Sequence, residues 1–177
     1  MRTLKQFMLL LVTLSIVSLN SCSTDDDGGS NGSAPSGVLS AKVDGVDYQS
    51  MEISSSATVA NGGQNLIIIA SNSDGKAFAI TVLGFDGVGT YQLGGGANIL
   101  NSASYTKTDV DLSNPQNSTT EIWQAPYDDS IAGEIKISEV TDGKVIGTFE
   151  FTCKNVGGDQ SLKTITTGSF NLNKQII

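Results

Sequence analysis

From Gly133 to Lys154 the chain reads G-E-I-K-I-S-E-V-T-D-G-K-V-I-G-T-F-E-F-T-C-K, with apolar residues at alternate positions on either side of Asp142-Gly143. Ile135 and Ile137 alternate with Glu134, Lys136 and Ser138; Phe149, Phe151 and Cys153 alternate with Thr148, Glu150, Thr152 and Lys154. Period two is the spacing of a strand with one buried and one wet face, whereas a helix repeats every 3.6 residues. Asp-Gly tolerates the positive φ that a two-residue hairpin turn requires. The stretch therefore predicts a hairpin, and with it a sheet that has an inside and an outside.

The same pattern continues through most of the chain. Asp44-Gly45 sits between Val43 and Val46 and predicts a hairpin of strands over 39–43 and 46–50. Residues 52–60, rich in Ser, Thr, Ile and Val, read as a third strand, and the apolar run Leu66 to Ala70 as a strand in the sheet interior. Ala77 to Leu83 places Phe78, Ile80 and Val82 on one face and completes the core hairpin. In G-T-Y-Q-L, Tyr91 and Leu93 share a side; Gly94 to Gly96 then break regular structure before N-S-A-S-Y-T-K-T. Residues 111–120 are polar, contain Pro115 and read as a long excursion, with Glu121 to Trp123 opening a strand. Thr164 to Leu172 closes the series with Ile165 and Phe170. No run carries helical periodicity with caps, so the expectation is an all-β fold, an antiparallel sandwich or barrel-like sandwich of about nine to eleven strands.

The N-terminal part reads as an address. Arg2 and Lys5 form a short positive region and Phe7 to Leu19 supply about thirteen mostly apolar residues, the length of a signal-peptide core. A membrane-spanning helix needs about twenty. Leu19, Ser21 and Cys22 then resemble the lipobox of bacterial lipoproteins, which implies cleavage between Ser21 and Cys22 and acylation of the Cys22 thiol; Asn20 is larger and more polar than that pattern usually holds. Ordinary signal-peptidase cleavage beside an incidental cysteine is the alternative. One acyl chain binds a membrane reversibly and two or three hold it durably, at about 0.8 kcal/mol per buried methylene.

Behind the cysteine, Asp25, Asp26 and Asp27 resemble the surface-export signal of Bacteroidota-type lipoproteins; a solvated tether is the competing account. Residues 23–37 are Gly, Ser, Asn and Asp with no large apolar side chain, which predicts a disordered tether reaching roughly 20 Å. The expected organisation is a leader at 1–21, lipidated cysteine and tether at 22–37, and a β domain at 38–177. The implied location is the outer membrane, lipid-anchored and facing the cell surface, with the periplasmic face as the alternative.

Composition narrows the chemistry. Formal charge is −8, and two units more negative once Arg2 and Lys5 leave with the leader, so no basic face is available for nucleic acid. The chain contains no histidine, which removes Ser-His-Asp and Cys-His nucleophile pairs and His-ligated zinc. Cys22 and Cys153 are the two cysteines, so no disulfide framework is expected. Cys153, on the face of Phe149 and Phe151 with no cation beside it in sequence, reads as a small hydrophobe. Asp44, Asp74, Asp86 and Asp142 each precede Gly, which is turn chemistry. Glu134 and Glu150 could face each other across the hairpin, but no cleft is evident for a glycosidase pair. No metal and no cofactor is expected.

The series G-E-I-K-I-S, G-T-F-E-F-T-C and I-T-T-G-S-F, with A-K-V-D-G-V-D-Y, G-T-Y-Q-L and N-S-A-S-Y before it, resembles a family of small Bacteroidota lipoproteins carrying a domain of unknown function. The resemblance spans nearly the whole β domain and implies no activity. The position of Cys153 is more often alanine in that pattern, in keeping with a small buried residue. Asp129-Ser130-Ile131 resembles an O-glycosylation site of exported Bacteroidota proteins, which would place sugar on Ser130.

The leading expectation for function is a membrane-anchored, non-enzymatic module of the cell envelope that binds a partner or supports a surface complex. Carbohydrate binding is the alternative, with Trp123 and Tyr127 as the candidate stacking pair and Tyr91 and Tyr105 as further platforms; packing is the competing role for all four.

Overall fold

A computed structural model of the chain describes residues 33–96 and 100–177. Ser21, Cys22 and Asp25 to Asp27, the expected cleavage, lipidation and export residues, lie outside the described residues. Eleven strands follow one another as β1 (Leu39–Val43), β2 (Val46–Gln49), β3 (Ser55–Ala60), β4 (Asn65–Ser71), β5 (Lys76–Leu83), β6 (Gly89–Gly94), β7 (Ser102–Asp109), β8 (Thr119–Ala125), β9 (Ile131–Val140), β10 (Lys144–Lys154) and β11 (Leu162–Ile176). No α-helix occurs among the described residues. The fold is all-β, as the alternation predicts.

The strands pair in the order β2-β1-β11-β3-β4-β5-β7-β8-β10-β9-β6, with β10 and β11 also joined. The two long strands β10 and β11 explain how this single order makes two layers. Along one edge, β11 binds β1 over Ile165 to Phe170 and then β3 over Lys174 to Ile176. β10 binds β9 over Val145 to Phe151 and touches β8 through Lys154 and Gln124. One layer is therefore β2-β1-β11-β10-β9-β6, the other β3-β4-β5-β7-β8, and the long strands stitch them at two corners into a barrel-like sandwich. The β3–β11 pairing is parallel and the others are antiparallel. An all-antiparallel arrangement was the expectation; β11 runs past the end of β1 and meets β3 running the same way.

Phe78 is the centre of the core. Its ring lies 4.9 Å from Tyr48, 5.6 Å from Phe149 and 6.3 Å from Phe151 across the interlayer space, and 5.2 Å from Tyr105 on the neighbouring strand. Leu66, Ile68, Ile80 and Val82 on one layer and Leu39, Ile135, Ile137 and Leu172 on the other are all buried. Each such side chain contributes about 1.5–3 kcal/mol through lost contact with water.

Four local features depart from the expected pattern. Ile165 and Phe170 are both buried although they are five positions apart, an interval that points opposite ways in a regular strand. A bulge at Thr167 absorbs the extra residue: its φ is 49°, and the register slips against both β1 and β10 there. Residues 52–54 form a 3₁₀ turn instead of the start of β3, because the Ser54 and Ser55 hydroxyls donate to the Met51 carbonyl and hold the chain in a turn. N-S-A-S-Y-T-K-T is a strand, β7, that lies between β5 and β8. Finally, the domain begins before residue 38: Ala34 is buried, and the Gly37 N–H donates to the Asn171 carbonyl at 2.7 Å. The expected tether therefore ends short of residue 37, with Pro35 accepting a turn hydrogen bond from Val38.

Candidate functional site

Alternation along a strand does not stop where the core stops. On β5, β7 and β8, Phe78, Tyr105 and Trp123 form one inward row in register, and the next row outward is Lys76, Lys107 and Glu121. At this end of the sandwich the second layer is capped by the β1–β2 turn at Asp44, by Lys163 at the start of β11 and by the β10–β11 loop with Asp159 and Ser161. Between them lies a cavity of about 450 Å³, within the range of small-molecule sites. Tyr48, Tyr105 and Trp123 form its floor and the charged residues its rim.

The floor is held from behind. The Tyr48 hydroxyl donates to the Ala70 carbonyl at 3.0 Å, and the Trp123 indole N–H donates to Ser161 Oγ at 2.9 Å. Ser161 in turn donates to Asp159 at 2.6 Å, which ties the β10–β11 loop to the indole. Tyr105 and Trp123 ring centroids are 5.8 Å apart, and the Lys163 ammonium sits 5.4 Å from the indole ring, a cation–π contact. The ring of Tyr105 is buried, and its hydroxyl, which has no hydrogen-bond partner among the described residues, belongs to the cavity lining rather than to the sealed core. A phenol oxygen in that position is a donor and acceptor free for a guest.

Charge on the rim is mixed. Lys163 Nζ is 2.7 Å from the Asp44 carboxylate, which also accepts the Thr164 N–H at 2.9 Å. Burial raises the Asp44 pKa, but the Lys163 and Thr164 hydrogen bonds and the Lys163 charge together hold it below the ordinary carboxylate value. Hydrogen bonds from the Ser161 hydroxyl and N–H lower Asp159 likewise. Lys107 is paired with Asp109 at 2.8 Å and Lys76 lies 3.9 Å from Asp74. Burial, followed by the Asp44 charge, raises the Tyr105 phenol and keeps it neutral. The two rim carboxylates with a shift are thus driven toward the ionised form, the opposite of what a general acid needs.

The other sequence-predicted residues are dispersed. Trp123 is 3% exposed, so it offers no flat exposed face, and Tyr127 is half-buried beyond Pro126 and outside the cavity; the two do not form a stacking pair. The reason is register: Trp123 points inward on β8, and the strand ends at Ala125 before Tyr127 is reached. Tyr91 braces the loop before β6, its hydroxyl donating to Gly87 and accepting from the Asp86 N–H. Ser130 is exposed in the loop before β9, with its hydroxyl bonded to Asp128. Glu134 and Glu150 are direct cross-strand partners on the outer face, in open solvent rather than a cleft. Cys153 is fully buried, and burial pushes its thiol up to about 12, so it is a packing residue. Among the described residues no cluster of His, Cys, Asp and Glu is arranged to hold a metal ion.

A family model, described as "Domain of unknown function (DUF6252)", matches residues 36–172. The chain belongs to the DUF6252 family. The matched span takes in every residue that lines the cavity and ends four residues before the last residue of β11. Cys22 and the acidic run precede it. No curated protein and no solved structure matches the chain.

Sequence reasoning reached Trp123 and Tyr105 and missed the rim. Lys76 stands two residues before Phe78, Lys107 two after Tyr105, Glu121 two before Trp123 and Lys163 two before Ile165. Extending each apolar alternation by one further step marks these four as inward-facing and charged, the signature of a polar mouth on an apolar core.

Proposed function

We propose that this DUF6252 protein is a non-catalytic binding module of the cell envelope, held on the outer membrane by lipid on Cys22 and binding its ligand in the cavity at the sandwich end. The cavity carries the binding part of this reading: an aromatic floor that includes the Tyr105 phenol, within a rim of ammonium and carboxylate groups. The positive leader, apolar core and Leu19-x-Ser21-Cys22 pattern support the anchor. Asp25 to Asp27 support presentation on the cell surface, as in Bacteroidota lipoproteins. In Cys22→Ala, membrane fractions should lose the protein while its β-sheet circular dichroism is unchanged; retention on membranes would refute the anchor.

A carbohydrate is the ligand class that the rim favours. Sugar hydroxyls both donate and accept, and Lys76, Lys107, Glu121 and Asp159 offer them both partners at one mouth. The aromatic contribution comes from Tyr105 and the indole edge beneath the ligand rather than from a Trp123–Tyr127 surface pair. Ser130, exposed on its loop, is the proposed site of any O-linked sugar. Retention of the wild-type domain on a glycan array, weakened at least tenfold by Tyr105→Phe with Lys107→Ala, is expected; no retention would end the carbohydrate reading while leaving other ligands for the cavity.

A further inference from the structure

The outer surfaces of the two layers differ in charge. On the layer β3-β4-β5-β7-β8, the outward position of every strand is uncharged; the central row, one residue per strand, is Ser56, Ile69, Ala79, Ser104 and Gln124. The charged residues of these strands, Lys76, Lys107, Asp109 and Glu121, lie on the inward register at the cavity mouth or at the strand end. The other layer carries Lys42, Asp47, Glu134, Lys136 and Glu150 on its exterior. A charge-free face of five strands is unusual for a chain with a formal charge of −8.

We propose that this face is a self-association surface on which a second copy of the same chain docks, sheet against sheet. Two acidic molecules repel wherever their carboxylates meet, and Glu134 opposite Glu150 would concentrate that repulsion on the other layer. Of the two layer exteriors, the uncharged face is the one that brings no like charges together. Its extent is sufficient: five strands about 4.8 Å apart and strands about 20 Å long cover about 500 Å² on each copy, or about 1,000 Å² in all, the lower bound for a specific contact. Ile69 and Ala79 are adjacent and exposed near the middle of the face, where the least polar part of an interface belongs. Ile67 lies beside them and serine, threonine and alanine fill most of the rest, side chains that lose little entropy when another surface covers them.

Sedimentation equilibrium of the chain beginning at Ser23 tests the proposal. Among the described residues the buried hydrophobic core lies between Ala34 and Leu172, and Asn31–Ile177 is a compact unit with its own core. At about 100 μM, well above the micromolar dissociation constant expected of a contact of this size, the expected mass is that of two copies. Ile69→Glu and, independently, a glutamate at Thr81, which is outward on β5 two residues from Ala79 and opposite Ile67 (Thr81→Glu), should each weaken association at least tenfold with unchanged far-UV circular dichroism, and Thr148→Glu on the opposite layer should leave it intact. A single-copy mass at that concentration would overturn the proposal. So would a two-copy mass that survives both glutamates, since the copies would then meet elsewhere, or a folded wild type whose association Thr148→Glu abolishes.

Discussion

Asp44 and Lys163, 119 residues apart in sequence, meet at 2.7 Å and lock the first hairpin onto the last strand. Asp44 stands at a φ of 50° as the first turn residue, so one side chain both permits the turn and closes the cavity wall.

This pair gives the domain an acid-sensitive corner. The Asp44 carboxyl titrates lower in the folded chain than in the unfolded chain, so its stabilisation is fully present above the unfolded value of about 3.9 and is lost as pH falls through the folded value. Asn accepts the same left-handed turn without the charge. Asp44→Asn should lower the melting temperature by a few degrees at pH 7, and the gap to wild type should close as pH falls below about 4. A gap that does not change with pH would show that the charge contributes nothing.

Asn101 connects the layers at a different point. Its buried side chain accepts the Leu83 N–H at 3.0 Å and donates to the Gln92 carbonyl at 3.0 Å, joining the end of β5 to β6. Asn101→Ala strands both backbone groups and should cost about 1–3 kcal/mol in urea unfolding. A cost under about 0.5 kcal/mol would mean that solvent satisfies both groups.

Thr167 occupies the left-handed region with a β-branched side chain, at the bulge that resets β11. Glycine has no Cβ to clash in that conformation and is the usual residue at the first position of such a bulge. Thr167→Gly should therefore raise stability by about 1 kcal/mol in spite of glycine's greater entropy when unfolded. Destabilisation would show that the Thr167 side chain makes contacts worth more than the strain.

The bulge also marks where the fold could be read and where it could not. Alternation placed Ile135, Ile137, Phe149, Phe151 and Cys153 on one buried face, and a hairpin formed at each Asp-Gly; only Asp44-Gly45 takes the positive φ of a two-residue turn, whereas Asp142-Gly143 lies in a longer turn in which the Thr141 N–H donates to the Lys144 carbonyl at 2.9 Å. The closing strand shows Ile165 and Phe170 as if in one rhythm, but their odd spacing needs a bulge whose position no turn residue announces. β7 shows little alternation, because Ala103 and Tyr105 are its only buried apolar residues and the rest are serine, threonine, Lys107 and Asp109. Pairing order was equally hidden. That β11 joins β3 in parallel depends on how far it overhangs β1, which no local residue encodes.

For the cavity, the floor was legible and the rim was not. Trp123 and Tyr105 stand out as rare aromatics, yet their inward register makes them a base for a ligand instead of an exposed platform. Lys76, Lys107 and Glu121 look like ordinary solvent-facing charges until the strands are aligned, when all three continue inward rows from β5, β7 and β8. Lys163 and Asp44 come together only through long-range pairing of β1 with β11.

The central claim is that the sandwich-end cavity is the binding site, and the Trp123 indole N–H reports on it directly because it bonds to Ser161 in the cavity lining. Trp123 is the single tryptophan, so its indole N–H resonance is unambiguous. In an NMR titration of the ¹⁵N-labelled domain with a panel of mono- and oligosaccharides, at least one sugar should shift that resonance together with the Lys76, Lys107 and Ser161 amides, and Tyr105→Phe should weaken the response. Shifts confined to residues outside the cavity would contradict the claim.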